Sequence, residues 1–277
     1  MPAPVSTVPV SCTRSFRRLA AKISRHRSVP DFRARLDQLL VERGLFATRS
    51  RARDAIQRGT VKVDGKAVTK PGQTAAHNAA ITVDDPASAY VSRAALKLIA
   101  ALDHFDLDVK GRTALDIGAS TGGFTQVLLE RGASHVIAID VGHDQLHERL
   151  RGNAQVTNRE GVNARALELI HLDGRDIDCV VSDVSFISLK LALPPALAFA
   201  QKDAICALLV KPQFEAGREA IGKGGILRDT ADGERIAEEL KLWLETQPGW
   251  RALGLCPSPI EGGDGNREYL LAGKKDQ

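Results

Sequence analysis

Thr113-Ala-Leu-Asp-Ile-Gly-Ala-Ser-Thr-Gly-Gly-Phe124 is the stretch whose reading decides the fold. Its apolar run through Ile117 ends in small residues, and a helical pattern follows from Thr125 to Arg131. The spacing predicts strand, tight Gly-rich turn, helix, a turn that aims backbone N–H groups beyond the strand end. Further units of the same kind follow. Strands are predicted at 113–118, 135–140, 154–157, 178–184 and 204–210, with helices at 122–131, 143–151, 164–170 and 187–200. Most of these strands are continuous apolar runs, as when helices cover both faces of a sheet. The pattern is that of a doubly wound α/β domain. A helix over 230–247 and two closely spaced strands, 252–256 and 268–272, complete it, and their short connection predicts that one of them is antiparallel.

Several readings of the turn compete. It is not a dinucleotide fingerprint, because Gly118-Ala-Ser-Thr-Gly122-Gly123 departs from G-x-G-x-x-G. It matches a nucleophile elbow, Gly118-Ala119-Ser120-Thr121-Gly122, but that chemistry needs a His late in the chain, and the last of the seven is His171. A turn for S-adenosylmethionine needs an acid just before the glycines and another at the end of the next strand. Asp116 and Asp140 occupy those positions, and the second carboxylate can hold ribose hydroxyls. An ordinary strand–helix connection is the plain alternative.

At 277 residues the chain has room for one large domain and a small one. Its composition, 43% hydrophobic and 26% charged, is that of a soluble globular protein. No apolar run reaches the roughly 20 residues of a spanning helix, which argues against a membrane-lytic role. The four cysteines, Cys12, Cys179, Cys206 and Cys256, include no C-x-x-C pair. That suits a reducing, cytoplasmic compartment and argues against a metal site. The net charge of +4 conceals an asymmetry: residues 1–93 carry +10 and the remainder −6. A basic first third on a mildly acidic body suits a polyanionic partner, a solvated basic face being the alternative.

Residues 1–33 carry six Arg and Lys side chains between positions 14 and 27 and no acid before Asp31. They read as a disordered basic tail that adds RNA affinity, or as an organelle transit segment. Arg35 to Gly44 is predicted as a helix. A second runs from Arg51 to Arg58, capped by Thr48 or Ser50, with Arg49, Arg53 and Arg58 outward and Ala52, Ala55 and Ile56 inward. Val61 to Val68 alternates around Asp64-Gly65, a hairpin signal. Arg35-Leu-Asp, Ser50-Arg-Ala, Ile56, Gly59, Val61 and Gly65-Lys66 together resemble an S4 RNA-binding domain over 34–85. The resemblance implies a small α+β module whose basic face, here Arg35, Arg49, Arg51, Arg53, Arg58 and Lys66, meets structured RNA. A linker at 86–92 would lead to the larger domain, 93–277. Its first helix begins near Val91, with Leu96, Ile99, Ala100 and Leu102 toward the core and Lys97 off that stripe, as a solvated lysine would be.

Ligands of doubly wound sheets bind beyond the carboxyl ends of the strands. There stand the 118–123 turn, Asp140, the Asn158–Asn163 segment, Ser182-Asp183-Val-Ser185 and Lys211-Pro212-Gln213. An antiparallel last strand would bring Glu268 to the same edge. Lys211 follows seven apolar residues, a placement that points either to a salt bridge with Asp183 or to contact with a hydroxyl that must lose its proton. Residues 213–229, with four glycines and three cations, read as a mobile flap over RNA or as a plain flexible loop.

Tyr90-Val-Ser-Arg, Lys97-Leu, Asp116 to Phe124, Ser182-Asp-Val-Ser-Phe-Ile-Ser188, Val210-Lys-Pro-Gln-Phe-Glu215 and Gly265-Asn-Arg-Glu-Tyr269 resemble the FtsJ-like ribose 2′-O-methyltransferases. With the S4 module in front, the chain is similar to the TlyA, or hemolysin A, family over residues 34–274. The resemblance implies a Rossmann-like methyltransferase sheet and S-adenosyl-L-methionine as cofactor. It also implies methylation of cytidine riboses in ribosomal RNA by a Lys–Asp–Lys–Glu tetrad at Lys97, Asp183, Lys211 and Glu268. Asp116, Gly118, Ser120, Gly122, Asp140 and Asn163 would hold the cofactor, with no metal. A non-catalytic S4 protein with a vestigial second domain, a membrane-active hemolysin and a small-molecule methyltransferase are the rival classes.

Overall fold

The computed structural model describes residues 32–229, 231–263 and 265–277. The basic tail read into residues 1–33 lies almost wholly outside them. The chain divides into two compact units, one ending at Asp85 and one beginning at Pro86.

In the first unit, β1 (Arg33–Arg35) pairs antiparallel with β4 (Thr74–Ala76). The helices are α1 (Leu36–Glu42) and α2 (Arg49–Gln57). A three-stranded antiparallel sheet is built from β2 (Val61–Val63), β3 (Lys66–Val68) and β5 (Ile81–Val83), with β2 central. Thr48 caps α2 by accepting from the Arg51 N–H. Ala52, Ala55 and Ile56 of α2 pack with Leu36, Leu39 and Leu40 of α1 into a small core.

The second unit opens with α3 (Ala95–His104) and β6 (Thr113–Ile117), then α4 (Gly123–Glu130), β7 (His135–Asp140), α5 (Glu148–Arg151), β8 (Val156–Glu160) and β9 (Ile177–Ser182). It continues through α6 (Leu189–Ala192), α7 (Pro194–Phe199), β10 (Ala200–Val210), α8 (Pro212–Glu215), α9 (Ala231–Glu245), β11 (Trp250–Pro257) and β12 (Tyr269–Lys275). The sheet order is β11-β12-β10-β9-β6-β7-β8. β12 runs antiparallel to both neighbours, while β10, β9, β6, β7 and β8 are mutually parallel. Two apolar layers cover the sheet, one with α6, α7 and α9, the other with α3 and α4. It is therefore doubly wound, and the last strand is the antiparallel one.

Several boundaries differ from the sequence reading. The helix predicted over 143–151 keeps only Glu148–Arg151, because the loop before it is held by Glu160. The 164–170 segment forms two 3-10 turns, and 187–200 splits at Pro194, which cannot donate into a preceding turn. In α3 the buried face is Ala95, Lys97, Leu98, Ala101 and Leu102, so the phase is rotated from the predicted stripe. No helix among the described residues is long and apolar enough to cross a membrane. Cys179, Cys206 and Cys256 are buried free thiols, and burial pushes the Cys179 thiol up to about 12.

The carboxyl end of the chain stitches α7 to the sheet. Lys275 Nζ donates to the carbonyls of Leu197, Ala198 and Ala200 at 3.1, 3.3 and 2.8 Å, and the Trp250 indole N–H donates to Leu197 O at 3.1 Å. These are carbonyls that the end of a helix leaves without intrahelical donors. Replacing Lys275 with Met removes the donors but keeps the aliphatic stem. It is expected to cost about 1–3 kcal/mol of stability, read as a lower urea midpoint of the full chain. An unchanged midpoint would mean that water satisfies those carbonyls.

Candidate active site

The chain leaves β6 for β7 and β8 on one side and then crosses to β9 on the other, so β6 and β9 flank the point where the strand order reverses. A crevice opens beyond the strand ends at such a point. Here the backbones approach closely. Gly118 has φ +83°, and a Cβ on it would lie 3.0 Å from the Asp183 carbonyl oxygen. Gly122, at φ +94°, ends the turn, and a Cβ there would run into the Leu150 and Leu146 side chains. Ser120 also takes a left-handed conformation, φ +47°.

The turn is held from two sides. Asp140 Oδ2 accepts from the Ser120 N–H at 2.8 Å, and Oδ1 accepts from the Gly142 N–H at 2.7 Å. Beneath the turn, Asp116 is fully buried; its Oδ2 accepts from the Thr125 hydroxyl at 2.6 Å, and Oδ1 has no partner. Burial, with Asp183 and Asp140 nearby, raises the Asp116 carboxyl to about 7, although the Thr125 bond opposes the shift. Asp116 thus supports the turn from below rather than facing the crevice. At the next strand end, Glu160 accepts from the N–H groups of Asp144, Gln145 and Leu146, which lowers its carboxyl to about 2.

A cavity of about 140 Å³ is lined by Ser92, Ala94, residues 118–121, Gly123, Phe124, Asp183, Ser185 and Lys211. Lys211 Nζ lies 2.6 Å from Asp183 Oδ1 and donates to the Ser185 hydroxyl at 2.7 Å. Register carries the constellation along the sheet edge: Val210 faces Tyr269, so Lys211 and Glu268 follow on adjacent strands. Lys97, reaching down from α3, donates to Glu268 Oε2 at 2.5 Å, with both groups buried. Lys97 is therefore not solvated, contrary to the reading of its helix pattern. Of the expected cofactor residues, Gly118 and Ser120 line the cavity and Asp140 adjoins it through Ser120. Asp116 and Gly122 lie behind the turn. Asn163 is exposed at another strand end, where it caps the Ala164–Ala166 turn by accepting from the Arg165 N–H at 3.0 Å.

Three features of the loops beyond the strand ends were not assigned from sequence. Phe186 is 90% exposed at φ +65°, an uncommon backbone state for an aromatic residue, with its ring centroid 5.0 Å from that of Phe214. Glu215 Oε2 accepts from the Ser188 hydroxyl at 2.6 Å and Oε1 from the Leu189 N–H at 2.7 Å, and burial raises its carboxyl. Together with the Lys211 contacts, these bonds fasten the 183–189 loop to the Lys211–Glu215 segment. The third feature is Asn266, which is buried, donates to Gly225 O at 2.9 Å and accepts from the Leu227 N–H at 3.1 Å. The segment expected as a mobile flap therefore forms a short hairpin, closed by an Ile221–Leu227 bridge and tied to the lead-in of β12. Among the described residues, no group of three His, Cys, Asp or Glu side chains could hold a metal ion.

In the first unit Arg53 and Lys66 stand exposed, and Arg35 and Arg49 are about half exposed over Asp37. Arg58 departs from the expected outward face. Its guanidinium turns to Asp85, with bonds of 2.7 and 3.0 Å, and to Asp54, and its side chain is 15% exposed. Asp85 lies just before the boundary between the units, so α2 spends this arginine on closing its own module.

A doubly wound sheet with a glycine turn at its switch point and a charged strand edge is a Rossmann-like fold. An FtsJ-like methyltransferase model matches residues 90–275, and an S4 domain model matches residues 34–81. The chain belongs to the FtsJ-like methyltransferase family and, within it, to the TlyA group. It is 45% identical over 241 residues to the 16S/23S rRNA (cytidine-2′-O)-methyltransferase TlyA of Mycobacterium tuberculosis, covering 86% of this chain and 89% of that protein. It is 39% identical to Hemolysin A of Brachyspira hyodysenteriae, covering 85% and 98%. A solved structure described as a hemolysin from Streptococcus thermophilus superimposes with a TM-score of 0.68 at 39% identity, covering 88% of each chain.

The raised Asp116 carboxyl has a consequence for stability. An acid whose folded pKa lies above its unfolded value of 3.8 binds more protons folded than unfolded between those limits, so stability falls as pH rises toward 7 and is level beyond it. Asp116→Asn, which still accepts from Thr125, is expected to match the native chain near pH 4. By pH 8 it should exceed it by up to about 4 kcal/mol, read as a growing difference in thermal midpoint. A constant difference across that range would show that Asp116 is ionised throughout.

Proposed function

We propose that the chain transfers a methyl group from S-adenosyl-L-methionine to the ribose 2′-hydroxyl of a cytidine in ribosomal RNA. The observation that carries this reading is the placement of Lys211: an ammonium at the wall of the glycine-cradled cavity, pinned by Asp183 and Ser185. Family membership and the named activity of the TlyA relative support it.

The residues fit the cofactor. The cavity wall is made of small residues, Gly118, Ala119 and Ser120 among them, and each Asp140 carboxylate oxygen accepts one N–H and keeps a lone pair beside the turn. Gly118 and Ser120 would hold its methionine end and Asp140 its ribose, with Asn163 toward the adenine. Asp116 and Gly122 would keep the turn in shape. When bound, the cofactor supplies an already activated methyl group.

The protein's task is then to present a poor nucleophile. A ribose hydroxyl must shed its proton, here to solvent water, as the new O–C bond forms and the methyl group leaves the sulfur that would carry it. Lys211 contacts the 2′-oxygen, orients it and stabilises the negative charge that develops there. Asp183 fixes Lys211 in place, and Ser185 narrows its position further. Lys97 and Glu268 neutralise each other in the buried layer behind, so no charge is left unpaired next to the reaction. Holding the oxygen in line is worth much of the remaining acceleration. Phe186 offers an exposed aromatic face beside Phe214, where the base of a displaced nucleotide would stack. The amino-terminal unit, residues 34–85, would bind structured RNA through Arg35, Arg49, Arg51, Arg53 and Lys66. Ribosomal RNA as substrate would place the enzyme with ribosomes, in the cytoplasm or, if residues 1–33 are a transit segment, in an organelle.

Lys211→Ala is expected to lower methyl transfer to ribosomal subunits at least 10²-fold while cofactor affinity stays within a few fold. Near-full activity would overturn the assignment. Mapping 2′-O-methylation on ribosomal RNA from cells with and without the gene should show a cytidine methyl lost with it. Phe186→Ala should weaken turnover of RNA by about 10-fold with the cofactor constant unmoved, and a loss confined to cofactor binding would place that ring elsewhere.

A further inference from the structure

Asp37 has no exposed surface, yet it carries a full set of ionic contacts with the outside of the amino-terminal unit. Arg35 Nε donates to Oδ1 at 3.0 Å and Arg35 Nη2 to Oδ2 at 3.1 Å. Arg49 Nη2 donates to the same Oδ2 at 3.0 Å. The Arg35 and Arg49 side chains are 48% and 52% exposed. The Arg35 bond holds the Asp37 carboxyl below its usual range. One arginine precedes α1 and the other opens α2, so the carboxylate joins two elements twelve residues apart.

Two guanidinium groups on an open surface repel each other and sample many rotamers. A shared, buried carboxylate cancels one of the two charges, fixes the Arg35 plane through two bonds and tethers Arg49 through one. Room is left for this: a Cβ on Gly72 would lie 3.3 Å from Arg35 Nη1, and Gly72 has none. The pair keeps a net positive charge and, with five N–H donors on each guanidinium, has donors left over on its exposed side. Two braced planar forks match the oxygens of a phosphate better than two lysines could. Arg53 and Lys66 contribute field in the same unit without such bracing.

We propose that Asp37 is a positioning residue that aligns Arg35 and Arg49 as one fork for a single backbone phosphate of structured RNA. The proposal rests on the RNA-binding reading of this unit. It makes a prediction opposite in sign to a charge-only account. Removing a carboxylate from a basic face raises its positive charge and, if charge alone mattered, would tighten RNA binding. With a fork, the same change releases both arginines and weakens it.

The test uses the full chain and an RNA hairpin with an A-form stem, titrated at several salt concentrations. Asp37→Asn is expected to bind about 10-fold more weakly. The salt dependence should become shallower by about one phosphate contact. Equal or tighter binding overturns the fork. Arg35→Lys and Arg49→Lys keep both charge and an ion pair for Asp37, so they report even if Asp37→Asn fails to fold. Each should lose about 5- to 10-fold in affinity with an unchanged thermal midpoint; unchanged affinity overturns the fork. Native chain that failed to bind the hairpin would overturn the RNA-binding reading itself, and the fork with it. Native binding with indifferent variants sinks the fork alone.

Discussion

The close approach of two strand ends, Gly118 against the carbonyl of Asp183, is the constraint on which the rest of the active unit depends. With no Cβ at 118, β6 and β9 come together where the chain reverses its winding. That approach sets the glycine turn beside the Asp183–Ser185 segment. A side chain at 118 would push against backbone, which cannot swing away, and would part the turn from the charged edge. The left-handed residues of the turn exist to make this contact, and Asp140 and Asp116 hold it from the front and from below.

Charge is distributed around that contact in layers. The buried Lys97–Glu268 pair lies deepest, where an unpaired ion would be costly and where the pair itself brings little net stability. Its use is to give β12 and α3 a fixed, neutral backing. Lys211 and Asp183 stand one layer out, paired yet lining the cavity. The loop carrying Phe186 is then fastened at its far end by Glu215. The exposed ring and the ammonium are thus both held by contacts from neighbouring segments.

The two units use the same device at different ends of the chain. In each, a carboxylate fixes cations at a surface a ligand can meet: Asp183 Oδ1 holds Lys211 at the cavity wall, and both oxygens of Asp37 hold the half-exposed Arg35 and Arg49. Arg58 shows the contrast. Two carboxylates engage it and it is largely covered, so it closes the module instead of facing outward.

The sequence by itself determined the alternation of strands and helices, the glycine turn, the S4-like front module and the strand-end positions of Asp140, Asp183 and Lys211. These follow from local periodicity, from steric rules at glycine and from the habit of doubly wound sheets to place polar residues past their carboxyl ends. The Lys211–Asp183 pair was legible as one of two readings of that lysine, but only the tertiary structure decided which charges are buried. Lys97 looked solvated because its partner Glu268 lies 171 residues away, and helix periodicity carries no information on so distant a carboxylate. The phase of α3 was misread for the same reason, since its buried face includes that lysine. Phe186 and Asn266 were quoted in motifs without a role; exposure of one and burial of the other depend on how separate loops pack. Burial and pairing are properties of three-dimensional neighbours, and no local pattern encodes them.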